Sequence, residues 1–326
     1  MILKLVSDDK IPFIGDFFTQ CDDIILIPGE KIAQKDLMGA DILLTRTVTP
    51  VNSHLLKNTS IKFVGTATTG TDHVDTDWLA AHHIFLATAQ GANATAVVEY
   101  VTLCCAALKK NGLFHGNNTT VGIIGCGRIG SALKKFFEMQ NHTVLCYDPF
   151  LPAINNASLE KLMRESDLIT LHTPLTKTGP HPTYHMIDVQ LINKMKKHAV
   201  LINTARGSVI DQQVLLSNKP ITLCLDVWEN EPAISLALLK KVFIGTPHIA
   251  GYSLDAKWRA TKMIYEQAAA FFGWNDRKKN ISPEKNTSTY DPVAHTQRFR
   301  AAFQGIFDPE KISEIFTRER GTYPLR

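Results

Sequence analysis

The sequence predicts an α/β protein with two doubly wound parallel-sheet domains, an active-site cleft between them and a short C-terminal tail. The chain has 326 residues, which is enough for two domains of ~100 to 200 residues each. Short apolar runs alternate with helical stretches in two successive series, the pattern of parallel strands joined by helices. A glycine-rich turn follows the first strand of the second series.

The first series lies between residues 1 and 95, and its apolar runs are ILKLV, IILIP, DILLTR, IKFVGTA and IFLATA. Their continuous apolar character is typical of strands buried on both faces of a sheet. Residues 96–113 are apolar at helical spacing and end in two lysines and a glycine, which suit a helix C-terminus. We expect this helix to lead into the second domain.

The second series contains the runs TVGIIGCG, HTVLCYD, DLITLHTP, AVLINTA, ITLCLDV and VFIGTPH. Each run ends in a polar residue or a Gly/Pro turn, and six strands suffice for a complete doubly wound sheet. A second long helix is predicted at about 255–272 and would lead back to the first domain. After Gly273 the composition becomes polar, which indicates a linker before the tail.

Composition excludes several classes of partner. Lys plus Arg is 35 and Asp plus Glu is 31, giving a net charge of +4, too dilute to attract nucleic acid. The six cysteines show no metal-ligand spacing, so we expect reduced core residues and no metal. The N-terminus lacks signal-peptide features and no apolar run approaches the ~20 residues of a membrane span. A cytoplasmic protein is the expectation.

The strongest local signal is Gly125-Cys126-Gly127-Arg128-Ile129-Gly130, between a predicted strand and a predicted helix. Gly125 permits a tight turn, Gly127 lets the backbone approach a pyrophosphate, and Gly130 lets helix and strand pack closely. Asp148 ends the next strand, where a carboxylate accepts hydrogen bonds from ribose and repels a 2'-phosphate. The pattern favours a Rossmann-like NAD site. The alternative is a glycine-rich turn in a protein that binds no nucleotide.

Three polar residues follow successive strands of the same predicted sheet: Arg206, Glu231 and His248. Oxidation of a hydroxy acid needs a cation for the carboxylate, a base for the hydroxyl proton and a hydride acceptor. Arg206 offers a planar fork for a carboxylate, and His248 is suited to acid/base chemistry. Glu231 would orient the imidazole, and Asp226 is placed to meet the nicotinamide amide or ribose.

Each of these residues also has a structural interpretation when it is taken alone. His248 lies between Pro247 and Ile249 and could be a packed histidine. Arg206 could form a surface ion pair, and Glu231 could be a turn residue. Their collective positions at strand ends favour the catalytic interpretation.

From the glycine turn through NTARGSVID, LDVWENEP and TPHIAGYS, the chain resembles the D-isomer-specific 2-hydroxyacid dehydrogenase family. The resemblance extends over nearly the whole chain up to about Gly273. It implies that Arg206, Glu231 and His248 are catalytic, with His248 as the acid/base. With the glycine turn, it implies that the cofactor contacts are Gly125, Gly127, Arg128, Ile129, Gly130, Asp148, Thr173, Thr204, Ala205, Arg206, Asp226 and Gly251.

Two N-terminal loops, LLTRTVTPVN and KFVGTATTGTDHVD, resemble those of the family members that oxidise 4-phospho-D-erythronate in vitamin B6 synthesis. This similarity implies that Thr47, Thr68 and Tyr252 bind the substrate. Arg46 is a further candidate for the phosphate. Hydroxyl and N–H groups in such turns can hold a phosphate, although isolated threonines are more often ordinary turn residues.

The resemblance also assigns the domains. Residues 1–95 with 253–275 would form a flavodoxin-like substrate-binding domain, residues 96–252 a Rossmann NAD-binding domain, and residues 276–326 a shortened dimerisation segment of a homodimer. The tail is basic, which is typical of a solvated or partner-facing surface; its arginines are Arg298, Arg300, Arg318, Arg320 and Arg326.

Two alternatives remain for the function. The chain could oxidise another D-2-hydroxy acid, such as 3-phosphoglycerate or glycerate. It could also be a non-catalytic NADH-sensing protein, as in the family's transcriptional corepressors. The intact set of Arg206, Glu231 and His248 argues against the second alternative.

Overall fold

The computed structural model describes residues 3–114, 118–274 and 290–323. The chain forms two compact units, the first within Met1–Asn93 and Tyr252–Thr287 and the second within Ala94–Gly251 and Ser288–Arg326. Most of the predicted linker, residues 275–289, lies outside the described residues. None of the described helices combines the length and apolarity that a membrane span requires.

The first unit contains a five-stranded parallel sheet whose order is β2-β1-β3-β4-β5. This is the flavodoxin-like strand order. Its strands are β1 (Lys4–Asp8), β2 (Asp23–Ile27), β3 (Ile42–Thr45), β4 (Phe63–Thr66) and β5 (Phe85–Thr88). Its helices are α1 (Ile14–Phe17), α2 (Ser53–Leu56), α3 (Thr76–Ala81) and α10 (Leu254–Phe272), with 3-10 turns at Gly29–Lys31 and Gln34–Leu37.

Helix α10 belongs to the first unit although it follows the last strand of the second. Ser253 caps its N-terminus by accepting a hydrogen bond from the Ala256 N–H, and Gly273 ends it in the left-handed conformation. Its buried face, which includes Ile264 and Tyr265, packs into the core of the first sheet. The chain therefore leaves the first unit after Asn93 and returns to it at Tyr252.

The second unit contains a six-stranded parallel sheet whose order is β11-β10-β9-β8-β6-β7. Its strands are β6 (Thr120–Ile124), β7 (Thr143–Tyr147), β8 (Leu168–Leu171), β9 (Val200–Asn203), β10 (Thr222–Leu225) and β11 (Ile244–Gly245). Its helices are α4 (Ala94–Lys110), α5 (Arg128–Met139), α6 (Leu159–Glu165), α7 (Val189–Lys194), α8 (Gln212–Leu215), α9 (Leu236–Lys241), α11 (Pro292–Ala302) and α12 (Pro309–Gly321), with a 3-10 turn at Gly207–Val209. The predicted fold class is confirmed by these two sheets.

Each sheet has one point at which the direction of strand addition reverses. In the first unit this point lies between β1 and β3, and in the second it lies between β6 and β8. Ligands of open α/β sheets bind outside the carboxyl ends of the strands at such a switch point. The loops that follow these four strands are therefore the places to look for binding residues.

The C-terminal helices α11 and α12 pack against the second unit. Phe299 and Phe316 are fully buried in the core beside this sheet, and the Thr296 hydroxyl accepts a 3.0 Å hydrogen bond from the Gly245 N–H. Arg300 donates from Nε to the Leu239 carbonyl oxygen at 2.9 Å, so this arginine differs from the solvated surface residue that the composition suggests. Arg326 lies outside the described residues.

Candidate active site

The glycine turn after β6 has three glycines in three different environments. Gly125 has φ +87°, and a Cβ there would lie 2.8 Å from the backbone of His172. A Cβ at Gly130 would lie 2.1 Å from the Gly125 carbonyl oxygen. A Cβ at Gly127 would meet nothing within 4 Å. Gly125 and Gly130 are thus required by the protein's own packing. Gly127, in contrast, borders open space at the N-terminus of α5.

A cavity of about 440 Å³ lies at the carboxyl ends of β6, β7 and β8 and is lined by Gly125, Gly127, Asp148 and Thr173 among others. Asp148 accepts hydrogen bonds from the Cys126 N–H at 2.8 Å and from the Phe150 N–H at 3.1 Å. These bonds fix the carboxylate at the cavity wall. The open glycine and the fixed carboxylate fit the pyrophosphate and ribose of NAD respectively.

The loop after β8 contributes Thr173, whose hydroxyl is buried and has no hydrogen-bond partner in the described part of the chain. His172 beside it lies 2.9 Å from Thr170 Oγ1 and 3.3 Å from Thr204 Oγ1. Burial lowers the pKa of His172 to about 3, so this imidazole is neutral and ties the β8 loop to the β9 loop. Thr173 is one of the residues that line the cavity, and a buried hydroxyl of this kind is suited to a polar partner.

His248 and Glu231 form a direct pair. His248 Nδ1 lies 2.8 Å from Glu231 Oε2, with 29% and 19% of the two side chains exposed. The other carboxylate oxygen, Oε1, accepts a 2.7 Å hydrogen bond from the Trp228 N–H. Burial by itself would raise the pKa of Glu231, but the charge and hydrogen bond of His248 outweigh it and lower the pKa. Glu231 therefore remains a carboxylate that orients the imidazole.

Asp226 holds the His248 loop in place. Its Oδ1 accepts from the Thr246 hydroxyl at 2.6 Å and the Ile249 N–H at 2.7 Å, and its Oδ2 accepts from the Ala250 N–H at 2.9 Å. The Asp226 carbonyl oxygen accepts from the His248 N–H at 2.7 Å. His248 has φ +58°, a left-handed backbone conformation that is uncommon for a non-glycine residue, and these hydrogen bonds hold it there. The contact of Asp226 with nicotinamide stays a prediction.

Arg206 lies in the loop after β9, just before the 3-10 turn at Gly207–Val209. Its guanidinium donates from Nη1 to the Ala205 carbonyl oxygen at 2.9 Å. A Cβ on Gly207 would lie 2.0 Å from the backbone carbon of Trp228, so this loop and the loop that carries Glu231 pack backbone to backbone. The structure thus joins His248 to Glu231 directly and brings the segment of Arg206 beside them.

The remaining predicted cofactor residues are all in the second unit. Arg128 and Ile129 begin α5, and Gly251 follows the His248 loop, three residues before the start of α10. The Ala205 N–H donates to Asn203 Oδ1 at 3.0 Å, which fixes the backbone of the β9 loop. Their contacts with NAD stay predictions.

Two of the three predicted substrate residues lie in loops of the first sheet. Thr47 is exposed after β3. The Thr68 hydroxyl lies 2.7 Å from Thr66 Oγ1 and donates to the Gly70 carbonyl oxygen at 2.9 Å. Thr66 Oγ1 in turn lies 3.0 Å from His73 Nε2. Tyr252, the third, precedes α10 and lies under the ammonium of Lys257 at 5.1 Å.

Comparison with known proteins shows the family. Residues 106–250 match the family described as D-isomer specific 2-hydroxyacid dehydrogenase, NAD binding domain. Erythronate-4-phosphate dehydrogenase of Coxiella burnetii (strain RSA 331 / Henzerling II) is 41% identical, and the match covers 100% of this chain and 93% of that relative. The chain belongs to the erythronate-4-phosphate dehydrogenase family. The protein of the same name from Photorhabdus laumondii is 43% identical over 83% of this chain and 74% of that relative.

Solved structures show the same fold. The NAD⁺-bound 3-phosphoglycerate dehydrogenase of Entamoeba histolytica superposes with a TM-score of 0.72 at 22% identity, over 87% of this chain and 99% of that one. The second unit of this member of the erythronate-4-phosphate dehydrogenase family is its NAD-binding domain. The chain is an NAD-dependent oxidoreductase, as the glycine turn and the strand-end residues predict.

Two residues in the hydrogen-bond networks of the site in this family member are not among the sequence predictions. Thr246 is one, because its hydroxyl lies 2.6 Å from that of Tyr100, which is far away in the chain. His73 is another, and burial lowers its pKa. A Thr-Pro-His sequence gives no sign that the threonine bonds to Asp226. What the sequence does show is that Thr246 directly follows a predicted strand, a position at which residues of a binding site are expected.

A second histidine-glutamate pair lies outside the predicted site. His185 Nε2 lies 2.6 Å from Glu229 Oε1, and the Glu229 Oε2 atom accepts from the Gln212 N–H at 3.2 Å. With Asp211 these two residues form a cluster whose ligand atoms all lie within 4.8 Å of one another. In this erythronate-4-phosphate dehydrogenase family member, the absence of a metal stays a prediction.

Proposed function

We propose that the protein oxidises 4-phospho-D-erythronate to 2-oxo-3-hydroxy-4-phosphobutanoate with NAD, in pyridoxal 5'-phosphate biosynthesis. The observation that carries the chemistry is the 2.8 Å contact between His248 Nδ1 and Glu231 Oε2, on loops beside that of Arg206. Relatives named erythronate-4-phosphate dehydrogenase, at 41% and 43% identity, support this choice of substrate.

Each of the three side chains has a separate role in the reaction. The guanidinium of Arg206 binds the substrate carboxylate. His248, fixed through Nδ1, receives the proton of the C2 hydroxyl at Nε2. Glu231 stabilises the imidazolium that results, because its carboxylate is already hydrogen-bonded to the ring. When bound, NAD supplies the acceptor for the hydride that leaves C2.

The other assignments belong to the same proposal. Thr47, Thr68 and Tyr252 bind the substrate, and Asp148 accepts hydrogen bonds from the adenosine ribose. We also propose a homodimer in the cytoplasm. The six cysteines are free and buried, which supports a reducing compartment. Light scattering of the purified protein measures the oligomeric state, and a monomer would remove the dimer from the proposal.

A substrate panel tests the proposal. The rate of NADH formation is measured with 4-phospho-D-erythronate, 3-phosphoglycerate and D-glycerate. We expect kcat/KM to be highest for 4-phospho-D-erythronate, by about 100-fold, because a site built for particular polar groups rejects analogues that leave those groups unpaired. A higher kcat/KM for 3-phosphoglycerate or D-glycerate would contradict the proposed substrate but not the proposed class of reaction. NADH binding without turnover of any acid would favour a sensor.

A further inference from the structure

The switch point of the first sheet contains a buried ion pair. Asp8 ends β1 and is fully buried, and Arg46 directly follows β3. Arg46 Nε lies 2.9 Å from Asp8 Oδ2, and Asp8 Oδ1 accepts a 2.8 Å hydrogen bond from the Lys10 N–H. A Cβ on Gly29 would lie 2.0 Å from Asp8 Oδ2. The carboxylate is therefore closely enclosed and anchors the guanidinium at the place where flavodoxin-like sheets bind ligands.

Lys257 lies in the first turn of α10, near enough to this pair for the charges of Arg46 and Asp8 to act on its ammonium. That part of the helix is fixed to the loop after β1, because the Thr261 hydroxyl donates to the Pro12 carbonyl oxygen at 2.9 Å. Lys257 is half-buried, and its Nζ lies 5.1 Å from the centre of the Tyr252 ring. Within residues 3–114, 118–274 and 290–323, no carboxylate forms an ion pair with it.

The charges at this point are not balanced. Burial first, and then the positive charge of Arg46, lower the pKa of Lys257 to about 8; Lys10 acts in the same direction and Asp8 opposes it. Lys10 also lies 3.6 Å from Asp9. In the described part of the chain, Asp8 is the one carboxylate that acts on the pKa of Lys257, and the same carboxylate pairs with Arg46. Two partly desolvated cations that share one carboxylate favour the entry of an anion.

We propose that Lys257 and Arg46 bind the phosphate group of the substrate, with Asp8 as the residue that positions Arg46. The proposal deepens the proposed function and rests on it, since it names the groups that distinguish a phosphorylated from an unphosphorylated hydroxy acid. Arg46 supplies a planar fork for two phosphate oxygens, and Lys257 supplies a point charge. Tyr252, already a proposed substrate residue, keeps the ammonium in place.

Substitution of Lys257 tests the site through substrate discrimination. We expect Lys257→Gln to reduce the ratio of kcat/KM for 4-phospho-D-erythronate to kcat/KM for D-erythronate by about 10- to 100-fold, the usual effect of losing one charge-assisted contact. Lys257→Arg should restore much of the ratio. Lys262→Gln is the matched control, because Lys262 is on the same helix and lies 5.2 Å over the Trp258 ring. An unchanged ratio in Lys257→Gln, or an equal fall in Lys262→Gln, would overturn the site.

Sulfate binding provides a readout that does not need turnover. Sulfate keeps its double negative charge across neutral pH, so any pH dependence belongs to the protein. With NAD-saturated protein, we expect calorimetry to show weaker sulfate binding about one pH unit above the pKa of Lys257 than one unit below it, because the free amine is neutral above that pKa. Lys257→Gln should remove this difference, and its persistence there contradicts the site. If sulfate behaves as expected but 4-phospho-D-erythronate is not oxidised, the proposed function fails and the anion site stands.

Discussion

Two histidine-glutamate pairs occur among the described residues of the second unit, and their surroundings distinguish them. His248 has φ +58°, and its backbone and the residues after it are bonded to Asp226. His185 also has a positive φ of 50°, but its pair with Glu229 joins a loop to the start of α8. The first pair lies at the carboxyl ends of β10 and β11, where an α/β sheet binds its ligands.

The chemistry proposed for His248 predicts a selective loss of turnover. We expect His248→Gln to lower kcat by about 100-fold or more, because general base catalysis contributes ~10² to 10⁴. His185→Gln is the control, since it also breaks a histidine-glutamate contact in the same unit, and it should retain most activity. Steady-state kinetics of both variants measures the difference. A similar loss of kcat in the two variants would contradict the assignment of His248, rather than His185, as the catalytic base.

At the scale of elements, the turn between β6 and α5 shows how one loop combines packing with binding. Gly130 lets α5 lie against Gly125, and Gly125 lets the turn approach the loop after β8. Gly127 has no such neighbour. The protein's own packing therefore explains Gly125 and Gly130 but not Gly127, whose proposed role is to leave space for the pyrophosphate of NAD.

This difference gives an experiment with opposite outcomes for the two positions. We expect Gly130→Ala to lower the free energy of unfolding by about 1 to 3 kcal/mol, because the added methyl group overlaps backbone that cannot move aside easily. Gly127→Ala should leave stability nearly unchanged and weaken NAD binding by about 10-fold or more, since the methyl group occupies space for the pyrophosphate. Thermal unfolding and NAD titration measure the two effects. Normal NAD affinity in a folded Gly127→Ala protein would place the pyrophosphate elsewhere.

At the scale of the whole molecule, the C-terminal helices are part of the core of the second unit. Phe299 and Phe316 are buried beside residues from its sheet, and Arg300 donates to the end of α9. The family resemblance predicts that this segment forms a dimer contact. In the structure its helices also form part of the core of the NAD-binding domain. Its role between subunits stays a proposal.

The tail should therefore contribute to the stability of the NAD-binding unit. Phe299→Ala is expected to lower the free energy of unfolding by about 3 to 5 kcal/mol, the usual cost of removing a fully buried phenyl ring. Phe307→Ala is the matched control in the same tail, because 85% of Phe307 is exposed, and it should change stability by less than about 0.5 kcal/mol. Denaturant unfolding of both variants measures their free energies of unfolding. Equal stabilities would show that the tail packs loosely in solution.

Much of the fold could be predicted because its signals are local. The apolar runs became eleven strands in the described residues, and the glycine turn, Arg206, Glu231 and His248 each follow a strand, so their common edge could be inferred. The predicted helix at 96–113 runs instead over Ala94–Lys110. Helix ends depend on capping contacts, which composition indicates only approximately.

The sequence by itself determined the two sheets, the NAD signature and the identity of the catalytic candidates, because strand periodicity and turn chemistry are properties of neighbouring residues. Only the tertiary structure brought Lys257 to Arg46 and Asp8, joined Thr246 to Tyr100, and buried Phe299. These contacts join residues that are distant in the chain, so they exist only after helices and strands have packed. The burial that then changes a pKa or orients a hydroxyl is a property of that packing.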